Sequence, residues 1–227
     1  MDDLTTARWH PSRFRHHFIT NYLCKARDKH KPTVPITVCT AFLLDELARN
    51  ERSIESDVLL RSFDFDSHPT LIIPTKIKPA ARRNGSTAGT WVTYFVVRGD
   101  SMPARFPSAT GENNGTLVIV SVGAQRSVEC EREILQLLYR KAALPVAKSC
   151  LAYSFVIERP DELCERYLLP NHTRYLDLVE SAREWDEWRE VWKMIALAEA
   201  VLKDPVRTIA DILKADGEVT RLAVEDS

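Results

Sequence analysis

The chain has 227 residues, 44% hydrophobic and 28% charged, with a formal net charge of −1. That length and balance fit a domain with a real core and exclude a largely disordered chain. No stretch approaches the roughly 18 apolar residues of a membrane-spanning helix. The acidic start Met1-Asp2-Asp3-Leu4 has neither the basic nor the apolar segment of a secretory leader, so a cytoplasmic or nuclear protein is expected.

Residues 1–10 read as a flexible terminus. From Pro11, the residues Phe14, Phe18, Tyr22 and Leu23 recur at spacings of three and four, predicting a helix that dissolves in the charged run 25–31. Val38, Phe42, Leu43 and Leu47 predict a second helix over about 36–48. The period then changes to two. Leu59, Arg61, Phe63 and Phe65 alternate with Leu60, Ser62 and Asp64, the pattern of a half-buried strand. Leu71-Ile72-Ile73 reads as another strand, with Pro74 arguing against a central place in a sheet.

Six of the seven glycines lie between Gly85 and Gly123. This block also holds Trp91–Val97 and Leu117–Val122, apolar on both faces and so read as central strands. The excursion from Asp100 to Thr116 is too long for a tight turn and is the expected place for a site on the sheet. Helical spacing returns at Val128 with Ile134, Leu137 and Leu138, and Pro145 stops it. Leu151, Tyr153, Phe155 and Ile157 alternate as a strand. A long helix is predicted over 173–203 and a shorter one over 206–214, with the last ten residues fraying.

The expected fold is therefore α+β, with N-terminal helices, an antiparallel or mixed sheet of four to five strands and a C-terminal helical layer. A single domain over 11–215 is helical over 11–50, sheet-rich over 57–157 and helical again over 161–215. Residues 216–227 form a flexible tail.

The five cysteines, Cys24, Cys39, Cys130, Cys150 and Cys164, are odd in number and widely spaced, which suits reduced thiols. His10, His16, His17 and His30 lack the paired short spacing of a zinc site, so no metal is expected. No phosphate-cradling or dinucleotide-binding glycine motif is present, and no cofactor is expected. Residues 1–128 carry a balance of +5 and residues 158–227 one of −7, which suggests two binding surfaces or self-association.

Val96-Val97-Arg98-Gly99-Asp100-Ser101-Met102, followed by Asn114-Gly115-Thr116 and an apolar strand, resembles the active-site segment of the LexA-type self-cleaving serine–lysine peptidases over about 25 residues. The resemblance implies Ser101 as nucleophile and a deprotonated lysine, Lys141 or Lys148, as its base. Read without it, the segment is a glycine turn that ends a strand, with Asp100 and Ser101 capping the loop.

Two further surfaces remain. Lys76, Lys78, Arg82 and Arg83, with the basic N-terminal helix, are candidates for phosphate contacts of a nucleic-acid binder. Trp185, Trp188 and Trp192 share one helix face, as core or as a partner surface. With no complete catalytic constellation in view, a non-enzymatic regulatory module binding a protein partner is expected. Its binding residues would be Arg98, Asp100, Ser101, Arg105 and the three tryptophans, and a homo-oligomer is compatible with the charge asymmetry.

Overall fold

The computed structural model describes residues 11–44, 70–77, 90–99, 116–123, 127–141, 151–157, 159–173 and 182–222. A six-stranded mixed sheet organises them, its strands side by side in chain order: β1 (Ile36–Val38), β2 (Thr70–Ile77), β3 (Thr90–Gly99), β4 (Thr116–Gly123), β5 (Leu151–Ile157) and β6 (Gly217–Arg221). β2–β3, β3–β4 and β5–β6 pair antiparallel, whereas β1–β2 and β4–β5 pair parallel. A parallel pair needs a crossover, and the one between β4 and β5 contains the helix α2 (Val128–Lys141).

The remaining helices are α1 (Pro11–His30), α3 (Pro160–Glu165), α4 (Pro170–Thr173), α5 (Ala182–Lys203) and α6 (Pro205–Lys214). Alternation along the strands divides the core in two. Ile72, Trp91, Phe95, Val97, Val118, Val120, Phe155 and Ile157 face a layer built from α1, α5 and α6. Leu71, Ile73, Val92, Tyr94, Val96, Leu117 and Ile119 face Ile134 and Leu135 of α2. Burial on both sides explains why β3 and β4 read as continuous apolar runs. Residues 191–198 of α5 are all buried, as expected of a helix covered by the sheet, α1 and α6 together.

The α+β class is the one expected, with six strands in place of four to five. Three local expectations change. The start of the helix expected over 36–48 is instead strand β1, whose β-branched Ile36-Thr37-Val38 pairs in register with Thr70–Ile72, while Leu43 and Leu44 are helical. Pro74 lies in an interior strand, yet β1 covers only Thr70–Ile72, so the missing N–H costs no ladder bond there. Residues 217–221, expected to fray, form the edge strand β6 on β5. The strand read at 59–65 lies outside the described residues.

Two glycines are required by close approach. A Cβ at Gly123 would meet Val92 Cγ2 at 2.7 Å and the Trp91 carbonyl at 2.9 Å, and one at Gly217 would run into the Phe155 ring. Among the described residues no helix is long and apolar enough to cross a membrane.

Candidate functional site

The tryptophan stripe of α5 is mostly core. Trp192 is buried, and Phe18 of α1 meets both Trp188 and Trp192 edge to face, at centroid distances of 5.3 and 5.5 Å. Trp188 carries the Arg15 guanidinium over its ring and Trp185 that of Arg189, each at 5.5 Å. These aromatic pairs fix α1 against α5.

One turn further along the same pair of helices, the packing changes character. Trp192 receives the edge of Tyr22 and the stacked ring of His172, and beyond these the helices part into a cleft of about 680 Å³. Four segments line it. α1 brings Tyr22, Lys29 and His30, the 166–172 segment brings Arg166, Tyr167, Leu169 and His172, α5 brings Glu199 and Lys203, and α6 brings Arg207 and Asp211. The spacings 22/29/30 and 196/199/200/203 place each set on one helix face.

Glu199 is the centre of this arrangement. Its Oε2 accepts from the Tyr22 hydroxyl at 2.8 Å and from His172 Nε2 at 3.0 Å, and its Oε1 accepts from His30 Nε2 at 3.2 Å. The His172 bond is the largest influence holding the carboxyl down to about 2; burial opposes it, and the Tyr22 and His30 bonds add to it. His172 is buried and held at both ring nitrogens, since Nδ1 accepts from the Leu169 N–H at 3.1 Å. Its tautomer is thereby fixed with the hydrogen on Nε2, and its work is to hold Glu199.

His30 differs. It ends α1, just before Lys31 turns the chain with a left-handed φ of 47°, and only its Nε2 is engaged by Glu199. A neutral ring that donates from Nε2 keeps a lone pair on Nδ1, in a residue that lines the cleft. A carboxylate holding an imidazole in one tautomer and orientation is the arrangement by which histidine takes a proton from a hydroxyl or a water.

The acidic lining residues are otherwise engaged. Asp211 accepts from the Tyr167 hydroxyl at 3.0 Å, and Asp204 accepts the Arg207 backbone N–H at 3.2 Å, capping α6.

The thiols are less suited to nucleophilic work. Cys24, Cys39, Cys130 and Cys164 form no disulfide. Burial pushes Cys39 and Cys164 each up to about 12 and raises Cys24, so these three are poor sources of thiolate. No group of three metal-ligating side chains is placed to hold an ion among the described residues.

Other expected site residues fall elsewhere. Asp100, Ser101, Arg105, Lys78, Arg82, Arg83 and Lys148 lie outside the described residues. Arg98 is on β3, and Lys141 closes helix α2, not a strand. Lys76 is committed to Glu187 at 2.6 Å and sits over the Trp91 ring, so it is not an idle phosphate contact. In the sequence Tyr22 belongs to the helical spacing of α1, His30 lacks zinc-site spacing, and neither His172 nor Glu199 stands out. Glu199 lies 169 positions from His30, 177 from Tyr22 and 27 from His172, and no local motif links them.

No family model matches the chain, and no curated protein matches it. Solved structures do. One, described as a de-sumoylating protease, is 14% identical with a TM-score of 0.48, over 88% of this chain and 65% of that one. Another, the SUMO protease Ulp1 with its catalytic cysteine oxidised to a sulfinic acid, is 10% identical with a TM-score of 0.34, over 92% of this chain and 81% of that one. The same protease with a sulfenic acid is 12% identical with a TM-score of 0.33, over 92% and 81%. This chain thus spans just under two thirds of the first of these.

This finding corrects the expected function. The solved chains are described as proteases, two of them by a catalytic cysteine, against the expected non-enzymatic module and its LexA-type alternative. At such identities and TM-scores the likeness says nothing about residues in this chain, whose chemistry has to be read from its own side chains.

Proposed function

We propose that the chain is a hydrolytic enzyme that works by general acid–base chemistry in the α1–α5–α6 cleft. His30 is the base. The observation that carries this reading is the Glu199 carboxylate, gripped by Tyr22 and His172 and holding His30 by Nε2. Tyr22 and His172 remove the rotational freedom of the carboxylate, and the carboxylate fixes the imidazole. His30 Nδ1 then draws a proton from a water as it attacks a bound substrate, and Glu199 stabilises the imidazolium so formed. The same imidazolium returns the proton to the leaving group, so the cycle closes without net proton transfer.

The cleft volume lies within the range of small-molecule and side-chain sites. Its lining is apolar at Leu169, Ala196 and Ala200 and polar elsewhere, which lets a substrate be oriented.

The test is a hydrolysis panel of aryl esters, aryl phosphates and peptide amides, run on the wild-type chain, His30→Asn and Glu199→Gln. One class is expected to turn over, and each substitution to slow it by about 10²–10⁴-fold with the fold intact by circular dichroism. Turnover of no class, or turnover that survives both substitutions, defeats the proposal.

A further inference from the structure

The cleft carries more positive charge than its own acids use. Lys29, Arg166, Lys203 and Arg207 line it, and among the described residues none of them has a carboxylate partner. The three acids of the lining are spoken for: Glu199 by Tyr22, His30 and His172, Asp211 by Tyr167, and Asp204 by the first turn of α6.

The cations also converge from separate elements. Lys29 comes from α1, Arg166 from the turn after α3, Lys203 from the end of α5 and Arg207 from α6. Burial and the Asp211 hydrogen bond push the Tyr167 phenol up while Arg207 and Arg166 pull it back, so both guanidinium groups lie within electrostatic reach of that hydroxyl. Elsewhere the basic side chains packed into the fold are ion-paired: Lys193 with Asp161 and Glu190, and Arg15 and Lys76 with the one carboxylate of Glu187. Four cations against three carboxylates, with no ion pair between them, leave a concave site that favours an anion, and two guanidinium forks suit a planar or tetrahedral oxyanion in particular.

We infer that the cleft binds its ligand through an oxyanion, a phosphate or a carboxylate, held between Arg166 and Arg207 with Lys29 and Lys203 completing the charge. This rests on the hydrolytic reading of the same cleft and names the chemical class of its substrate. The oxyanion is the handle, and it seats the scissile bond near His30.

Isothermal titration of the full chain at low salt, with inorganic phosphate in one arm and citrate in the other, tests it. Saturable binding is expected in at least one arm, and the stronger arm names the source of the oxyanion. The double variant Arg166→Gln/Arg207→Gln, both exposed positions, is expected to weaken binding by roughly tenfold or more. Arg132→Gln, exposed on α2 across the sheet, is the control for loss of a surface arginine and should bind as the wild type does. His30→Asn should also keep its oxyanion affinity, because that residue acts on the bond and not on the handle.

Absence of saturable binding in both arms, or equal weakening by Arg132→Gln, overturns the inference. If oxyanion binding follows the arginines while hydrolysis is indifferent to His30, this inference stands and the catalytic reading falls. If hydrolysis needs His30 but no oxyanion binds, the reverse holds.

Discussion

Two carboxylates, one on each side of the sheet, show how the same chemical group is put to different use. Glu131 on α2 is only 1% exposed; it faces β5, accepts the Ser154 hydroxyl at 2.7 Å and has Tyr94 and Cys130 beside it. Glu199 on α5 keeps 17% of its side chain exposed, at the floor of an open cleft. Both are hydrogen-bonded, as buried carboxylates must be. The difference is in the partners. Ser154 is a short hydroxyl on a rigid strand and has nothing to pass on to a ligand. Two of the partners of Glu199 are imidazoles that line the cleft, and one of these, His30, is engaged only at Nε2. A polar group sealed beneath a helix specifies packing, whereas one that ends at a concavity is available for chemistry.

The comparison breaks most severely at Trp192, which belongs to the core and also supports Tyr22 and His172. Trp192→Ala is expected to cost about 3–5 kcal/mol in urea unfolding and to abolish hydrolysis along with it. A loss under about 1 kcal/mol would mean that the Glu199 site is not built on the core.

Acid separates the two carboxylates next. The Glu199 carboxyl is depressed in the folded state, so its stabilisation is present above the ordinary value of 4.5 and is lost as pH falls through about 2. This contribution is on the order of 3 kcal/mol. Urea midpoints of the wild type should fall across that window, and those of Glu199→Gln should fall less. Parallel curves would show that the three-donor grip does not exist in solution.

Ser154→Ala sharpens the contrast from the other side. Removing a donor from the buried Glu131 is expected to cost about 1–3 kcal/mol and to leave hydrolysis unchanged. A fall in hydrolysis comparable to that of His30→Asn would show that the two faces are not separate. The smallest effect is expected at Lys31, whose left-handed backbone favours glycine. Lys31→Gly should raise stability by about 1 kcal/mol and leave His30 at the end of α1.

Much of the fold was legible from periodicity. Helix α1, the two central strands, α2, β5 and α6 all follow from spacings of three and four or from apolar runs. The misread elements have physical reasons. Ile36-Thr37-Val38 is three residues long and has no period of its own; it is a strand because Thr70–Ile72 offers it an edge. Gly217–Arg221 is mostly polar and at most half-buried, and only the close fit of Gly217 on Phe155 and the ladder to β5 mark it as a strand.

The site was almost illegible. Tyr22 and His30 sit on a helix whose aromatics do pack in the core, and nothing in their local sequence says that the last turns diverge from that role. Glu199 lies in a run of alanines and leucines that reads as core, where an acid at the edge of a buried stripe was the one available signal. His172 is defined by a tertiary contact, its bond to an acid 27 residues away.

Imidazole nitrogen NMR on the wild-type chain tests the central claim most directly. The account expects His30 and His172 both to carry their hydrogen on Nε2, with His30 Nδ1 bearing the lone pair, and expects Glu199→Gln to disturb both rings. A His30 ring with its hydrogen on Nδ1, or one indifferent to Glu199→Gln, would contradict it, because the cleft would then hold no oriented base.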